Sequence, residues 1–403
     1  MGADCESHRR HGELTHHMSL HTTLDILSRL VAFDTTSAKS NLPLMTWISD
    51  YLQGLGFRIE QVANGDGTKA NLIASIGPEG PPGYILSGHT DTVPVDDQSW
   101  SSDPFRLRRE DGRLYGRGTT DMKGFLAVCL SRAQVMSAIR LSRPLHLAFS
   151  YDEEVGCVGV RHLLARLTAS ERRFAGCFVG EPTGMDVVIG HKGKSNTRVT
   201  VTGLGGHSSL APCSVNAVEY AATFAGAVQA LSRRLKASGR RDELFDIPYS
   251  TAHVGVLRGG TALNVVPAVA ELLFELRTVP GDDAAGLLAE LRAFAQAELE
   301  PAMQAIHAGA GFRFDTYAQS PALDNTADAG IVSLTKALAG RNDHRKVAFM
   351  TEAGLFQAQA GIPTVVIGPG AIAQAHIADE WIAERELVQC ESFVDRLIQL
   401  CQA

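Results

Sequence analysis

Histidines and carboxylates gather in short segments of this chain, each near the place where a predicted strand runs out. The first is Ser87-Gly88-His89-Thr90-Asp91, where His89 and Asp91 stand two apart on extended chain and project from the same side. A histidine that binds a metal usually has its ring fixed by a nearby carboxylate or carbonyl, a role open to Asp91. Alone, the pair reads more readily as a hydrogen-bonded loop histidine. The second segment, Gly116-Arg117-Gly118-Thr119-Thr120-Asp121-Met122-Lys123-Gly124, passes from a glycine-rich loop into a predicted helix. It lacks both the phosphate-loop spacing and the dinucleotide fingerprint. Asp121 at that junction suits a cation ligand or a plain helix cap.

The third segment is Ser150-Tyr151-Asp152-Glu153-Glu154. Consecutive acids repel one another unless solvent or a cation compensates. Adjacent side chains point apart, so one can hold a metal while its neighbour faces a water. An acidic solvated turn is the competing reading. Glu181 in Gly180-Glu181-Pro182-Thr183 and His376 in Gln374-Ala375-His376-Ile377-Ala378-Asp379-Glu380 complete the set. Together His89, Asp121, Glu154, Glu181 and His376 fall near the carboxyl ends of predicted strands or in the loops that follow, the edge where open α/β sheets place their sites. Two histidines and three carboxylates suit two zinc-like ions with one carboxylate shared.

The elements that must position these residues alternate. Strand-like runs at Asn71–Ile76, Tyr84–Ser87, Leu145–Ser150 and Cys177–Val179 are interspersed with helical patterns at Pro43–Gln53 and Gly124–Ile139. That alternation predicts an α/β domain with a mostly parallel sheet. From about His191 the texture changes. A half-exposed strand at Thr197–Thr202 precedes a helix at Ser214–Ala237, strands at Ala252–Leu257 and Ala268–Thr278, a helix at Asp282–Leu299 and a strand at Gly311–Thr316. This is the ferredoxin-like β-α-β-β-α-β order. A helix at Thr326–Leu338, a strand at Thr364–Ile367 and a helix at Glu384–Leu400 then return to α/β character. The expectation is one α/β domain, residues 18–187 and 319–403, interrupted by an α+β domain over 188–318.

Composition narrows the field. The 403 residues are 45% hydrophobic and 20% charged with a net charge of -7, which gives no basic footprint for nucleic acid. No apolar run approaches the ~18–20 residues of a bilayer span. The polar stretch 1–17, with His8, His11, His16 and His17, reads as a disordered extension and lacks the apolar core of a secretory signal. Seven cysteines without a C-x-x-C pair predict neither a disulfide framework nor a zinc knuckle, so a cytoplasmic location is expected.

These segments, in this order, resemble the M20 metallopeptidase family from about Met18 to the C-terminus. Within it, Val179-Gly180-Glu181-Pro182-Thr183, Gly259–Pro267 (GGTALNVVP), Thr351–Gln357 (TEAGLFQ), Gly361-Ile362-Pro363-Thr364 and Gly368-Pro369-Gly370 are most similar to the acetylornithine deacetylase branch. The resemblance implies a parallel-sheet di-metal catalytic domain interrupted by a ferredoxin-like lid and dimerisation domain. It implies two divalent cations, Zn2+ in preference to Co2+. His89 and Glu181 would hold one, Glu154 and His376 the other, and Asp121 would bridge them. Asp91 would support His89, and Glu153 would be the general acid/base. In the inserted domain, His207 is similar to a histidine that reaches a neighbouring subunit's site, Arg277 to the arginine that holds the substrate carboxylate, and Asn264 to a further substrate contact.

The implied reaction is hydrolysis of N-acetyl-L-ornithine, a small N-acylated amino acid, to L-ornithine and acetate in arginine biosynthesis, by a homodimer. Other readings are a succinyl-diaminopimelate desuccinylase, a general aminoacylase, a metal-dependent dipeptidase, or a non-catalytic binder of amino-acid derivatives. Glu352 is set against the ornithine ammonium, because burying that charge requires a partner. A helix-terminal acid complementing the macrodipole is the competing reading. Two positions depart from the family pattern: Ile377-Ala378 where Lys-Pro is expected, and Phe125 where a small residue is expected.

Overall fold

Strands that are apolar on both faces must be covered on both faces, and here Gly83–His89 and Leu145–Ser150 are buried along their whole length. The computed structural model describes residues 20–403, so the 1–17 extension with its histidines lies outside the described residues. In the large sheet the strands run in the order Arg58–Ala63, Ala70–Ile76, Leu145–Ser150, Gly83–His89, Phe174–Val179, Thr364–Val366, Val188–His191. The four central strands, from Leu145–Ser150 to Thr364–Val366, are mutually parallel, while the flanking pairings are antiparallel. In this register His89 lies opposite Ser150, and Ser87 opposite Val179. Four strand ends therefore open on one edge.

The helices hold that edge in place. Glu384–Cys401 buries Leu387, Cys390, Phe393, Val394, Leu397, Ile398 and Cys401, the spacing of one helical face. Its Phe393 ring meets Phe178 of the central strand edge-on, with centroids 5.3 Å apart. Full burial of such a ring contributes roughly 1.5–3 kcal/mol. Gly124–Ala138 is buried over nearly its whole length, and Tyr51 of the Leu42–Gly54 helix donates to its Leu130 carbonyl at 3.2 Å.

The described residues divide into two compact units, one of residues 20–190, 325–345 and 351–403, the other of 191–324 and 346–350. These limits lie a few residues beyond the expected 187 and 318. The strand Val188–His191 pairs with Thr364–Val366 and so extends the large sheet past 187. Lys346 joins the second unit because its ammonium reaches Asp242 and Asp324, each at 2.7 Å.

The second unit has antiparallel strands in the order Thr251–Gly259, Val269–Thr278, Gly193–Thr202, Gly311–Ser320. Burial alternates along Gly193–Thr202, so one face packs on helices and the other meets solvent. Phe224 of the helix Ala217–Ser238 anchors that face against Phe274, Phe312 and Phe314. Asn216, whose side chain accepts from the Val218 and Glu219 amides, sets the helix start at Ala217 rather than the expected Ser214. The helix expected over Asp282–Leu299 is a helix at Ala284–Phe294, a wider turn at Ala295–Leu299 and a further helix at Glu300–Ile306. Among the described residues all cysteines are free thiols, and no helix is long and apolar enough to cross a membrane.

Candidate metal centre

The last residue of the Gly83–His89 strand is His89, which is buried. Its Nδ1 lies 3.0 Å from the main-chain carbonyl of Asp91, and the Asp91 carboxylate is farther off at 3.6 Å. With Nδ1 donating to that carbonyl, Nε2 is the nitrogen left to act as a ligand. The Asp91 carboxylate is used elsewhere: it accepts from Ser37 Oγ at 2.7 Å and from the amides of Glu153 and Glu154 at 3.1 and 3.3 Å. Asp91 thus sets His89 through its backbone and the acidic turn through its side chain.

Asp121 is not a helix cap. The regular helix begins at Gly124, and Asp121 sits in the preceding turn with φ -123 and ψ 90. Its peptide bond to Met122 is cis. From there the carboxylate spans two histidines, Oδ1 lying 2.8 Å from His89 Nε2 and Oδ2 3.2 Å from His376 Nε2. Glu154 meets His376 Nε2 at 3.1 Å, and Glu181 Oε1 lies 3.9 Å from His89 Nε2. The sequence-predicted ligands therefore fall into two groups that share Asp121. His376, with φ 62, stands at the solvent side and is 48% exposed, whereas the other histidine is buried.

Electrostatics ask for cations in this space. Burial works against a charged Asp121, yet hydrogen bonds and charge from His376 and His89 outweigh it and hold its carboxyl well below the usual range. Burial chiefly, with Asp121 and Glu153 nearby, raises Glu181 well above its ordinary value against the pull of His89. Glu153 and Glu154 are likewise raised, first by burial and then by neighbouring carboxylates. His376 is pushed up to about 10 by its bonds to Asp121 and Glu154.

Glu181 Oε1, 3.9 Å from His89 Nε2, is buried without a hydrogen-bond partner, an oxygen left for a cation. Ligand atoms of His89, Asp121 and Glu154 lie within 4.8 Å of one another, as do those of His89, Glu153 and Glu181. Donor type, spacing and the orphaned oxygen all fit divalent ions. The second of these groups also puts Glu153 at ligand distance. Its Oε1 accepts from the thiol of Cys157 at 3.2 Å.

Close packing positions Glu181. A Cβ on Gly180 would lie 2.1 Å from the Phe125 ring, so the bulky Phe125 fills the space the glycine leaves. Ile377, the other departure, is 47% exposed, and its carbonyl accepts from Arg117 at 3.3 Å.

Glu352 corrects an expectation. Rather than facing a substrate ammonium it is fully buried, with Oε1 accepting from Ser87 Oγ at 2.6 Å and Oε2 from Ser150 Oγ at 2.7 Å. It ties together the two strands that end at the site. It directly precedes the Ala353–Ala360 helix, and its side chain caps none of that helix's amides.

His207, Asn264 and Arg277 belong to the second unit. His207 is exposed and its Nδ1 pairs with Ser209 Oγ at 2.8 Å. Exposed Asn264 is its neighbour, accepting through its carbonyl from the Ser208 amide at 3.1 Å. Arg277 pairs with Glu275 on its own strand, at 2.7 and 3.2 Å.

Sequence reasoning passed over Ser37, Ser87, Ser150 and Cys157, whose bonds to Asp91, Glu352 and Glu153 carry no local signal. Glu380, four residues beyond His376, was visible as part of that acidic segment but had no role assigned.

Residues 85–400 match the model of Peptidase family M20/M25/M40. The fold is similar to a tripeptidase from Staphylococcus aureus, at 19% identity and a TM-score of 0.73 over 95% of this chain and 98% of that one. It is similar to an M20 family metallo-carboxypeptidase from Sulfolobus solfataricus, at 18% identity and a TM-score of 0.73 over 94% and 98%. A dinuclear metal binding peptidase of the M20 family from Bacillus subtilis matches at 15% identity and a TM-score of 0.65 over 95% and 99%.

Proposed function

The chain belongs to peptidase family M20/M25/M40, and from that premise we propose that it is a two-metal amidohydrolase releasing acetate from N-acetyl-L-ornithine. The observation that carries the metal reading is the Asp121 carboxylate divided between His89 and His376. His89 and Glu181 would hold one ion, Glu154 and His376 the other, with Asp121 between them and Zn2+ the ion best suited to this donor set. When bound, such ions supply Lewis acidity and lower the pKa of water.

Glu153 takes a proton from the attacking water and returns it to the departing amine. Burial raises the proton affinity of its carboxyl, which suits a group that must both accept and donate. His207 donates to the oxyanion, supplied by a second copy of the chain in a homodimer. Arg277 receives the substrate carboxylate, and Asn264 adds a polar contact beside His207. The acetylornithine assignment is supported by the segments around Glu181, Asn264 and Thr351, and it would place the enzyme in arginine biosynthesis.

A panel of amide substrates tests the assignment. The purified enzyme is given N-acetylornithine, N-succinyl-diaminopimelate, N-acetylmethionine and a dipeptide, with and without a chelator. The expected result is chelator-sensitive turnover with the highest kcat/KM on N-acetylornithine. A higher value on any other member overturns the substrate, and equal turnover in a strong chelator overturns the metal reading.

A further inference from the structure

Arg117 and Glu380 are both 1% exposed and form an ion pair of 2.8 Å. Taking two charges out of water is costly unless further hydrogen bonds satisfy them. Glu380 meets that cost with the backbone that carries Asp121. Its Oε1 accepts from the amides of Thr120 and Asp121 at 2.8 and 3.1 Å, and its Oε2 accepts from Gly118 at 2.9 Å as well as from Arg117. Gly118, with φ 80, gives the left-handed turn that points its amide at the carboxylate. These amides precede the regular helix, so no helical ladder engages them.

The other face of the pair holds the His376 segment. Arg117 donates to the Ile377 carbonyl at 3.3 Å and to Gln98 Oε1 at 2.5 Å, and stacks 4.9 Å from the Trp100 ring centroid. Gln98 in turn donates to the His376 carbonyl at 3.1 Å. The backbones on either side of the 3.2 Å Asp121–His376 contact are thus joined through one carboxylate and one guanidinium.

We propose that Glu380, clamped by Arg117, is the positioning residue that sets the spacing between Asp121 and His376, and so governs how firmly the ion between them is retained. This rests on the metal reading above. Glu380 touches no reacting atom. It acts on the ion through Asp121, whose main-chain amide it holds. The buried pair of Arg132 and Glu391, 2.8 Å apart, is bonded to Asp395 and Thr23 and is the natural comparison.

The test measures zinc release from the zinc-loaded enzyme to a chromogenic chelator, beside the melting temperature of metal-free protein. Wild type, Glu380→Gln, Gln98→Ala and Glu391→Gln are compared. Outer partners of metal ligands typically change metal affinity ~10–100-fold. Glu380→Gln is expected to release one of two zinc ions faster by about that factor, and excess zinc should restore its kcat. Gln98→Ala, a half-buried site that leaves the core intact, should show a smaller acceleration of the same ion. Glu391→Gln should lower the melting temperature without changing release. Should Glu380→Gln not fold, Gln98→Ala decides. Release at the wild-type rate from a folded Glu380→Gln, or from Gln98→Ala alone in that case, overturns the clamp and leaves the metal reading standing. A wild type that retains no zinc overturns both.

Discussion

The carboxylate of Asp91 accepts from the main-chain amide of Glu153 at 3.1 Å, so the residue two beyond the proposed ligand His89 fixes the backbone of the proposed proton carrier. The same carboxylate reaches Glu154 at 3.3 Å and Ser37 at 2.7 Å. Replacing Asp91 by Asn substitutes a donor for one acceptor oxygen and sets it against those amides. Asp91→Asn is expected to lose kcat by ~10–100-fold, with metal content reduced as well, because His89 and the acidic turn shift together. Steady-state kinetics with elemental analysis of the same sample would show it. Normal kcat in a fully metallated variant counts against this double role.

Glu153→Gln keeps the shape of the side chain and removes the proton carrier. Turnover is expected to fall by ~10²–10⁴-fold with KM and ion content little changed. The outcome also decides between the two placements the geometry allows for Glu153, since a ligand would take an ion with it when lost. Loss of one metal equivalent would make Glu153 a ligand.

Glu352→Gln now carries a different expectation from the one its sequence position suggested. The carboxylate is buried between Ser87 and Ser150. Weakening two buried hydrogen bonds to a charged group should cost roughly 1–3 kcal/mol of stability. Its effect on kcat/KM should be the same for N-acetylornithine and N-acetylnorvaline, which lacks the amine. A selective loss on the ornithine substrate would restore Glu352 as the ammonium's partner.

His207→Ala should depress kcat while leaving ion content intact, as befits a donor to the oxyanion and not a ligand. If a second copy supplies it, mixing inactive His207→Ala and Glu153→Gln chains should recover part of the activity. No recovery after confirmed subunit exchange would refute supply from a second copy.

Two buried histidines give an acid limit on stability. Burial lowers His146 from 6.5 to about 4, and His191, in the other unit, likewise to about 4. The unfolded chain takes up these protons near pH 6.5 while the folded chain does not, so stability is full above pH 6.5 and is lost as pH falls toward 4. Each contributes on the order of 3 kcal/mol across that window. His146 Nδ1 pairs with Ser75 Oγ at 2.8 Å, a bond a glutamine can imitate. His146→Gln should therefore flatten the pH dependence of the denaturation midpoint between pH 6.5 and 4. An unchanged slope would remove His146 from the account.

Residue type and spacing were enough to group His89, Asp121, Glu154, Glu181 and His376, because His89, Glu154 and Glu181 follow buried runs, parallel sheets open their strand ends on one edge, and the loops beyond supply the other two. Alternation of apolar and polar positions likewise made the β-α-β-β-α-β unit legible, since one face of its sheet meets solvent. Periodicity is a local property, and it says nothing about where a side chain points once strands pair. The tertiary fold turned the Asp121 oxygens toward two different histidines and gave the His89 ring to a main-chain carbonyl. It also drew Glu352 under the sheet between Ser87 and Ser150, and set Glu380 on amides some 260 residues earlier in the chain. Those contacts join segments distant in sequence. They exist because a buried carboxylate must find donors wherever the fold brings them, and only the tertiary structure determines which donors those are.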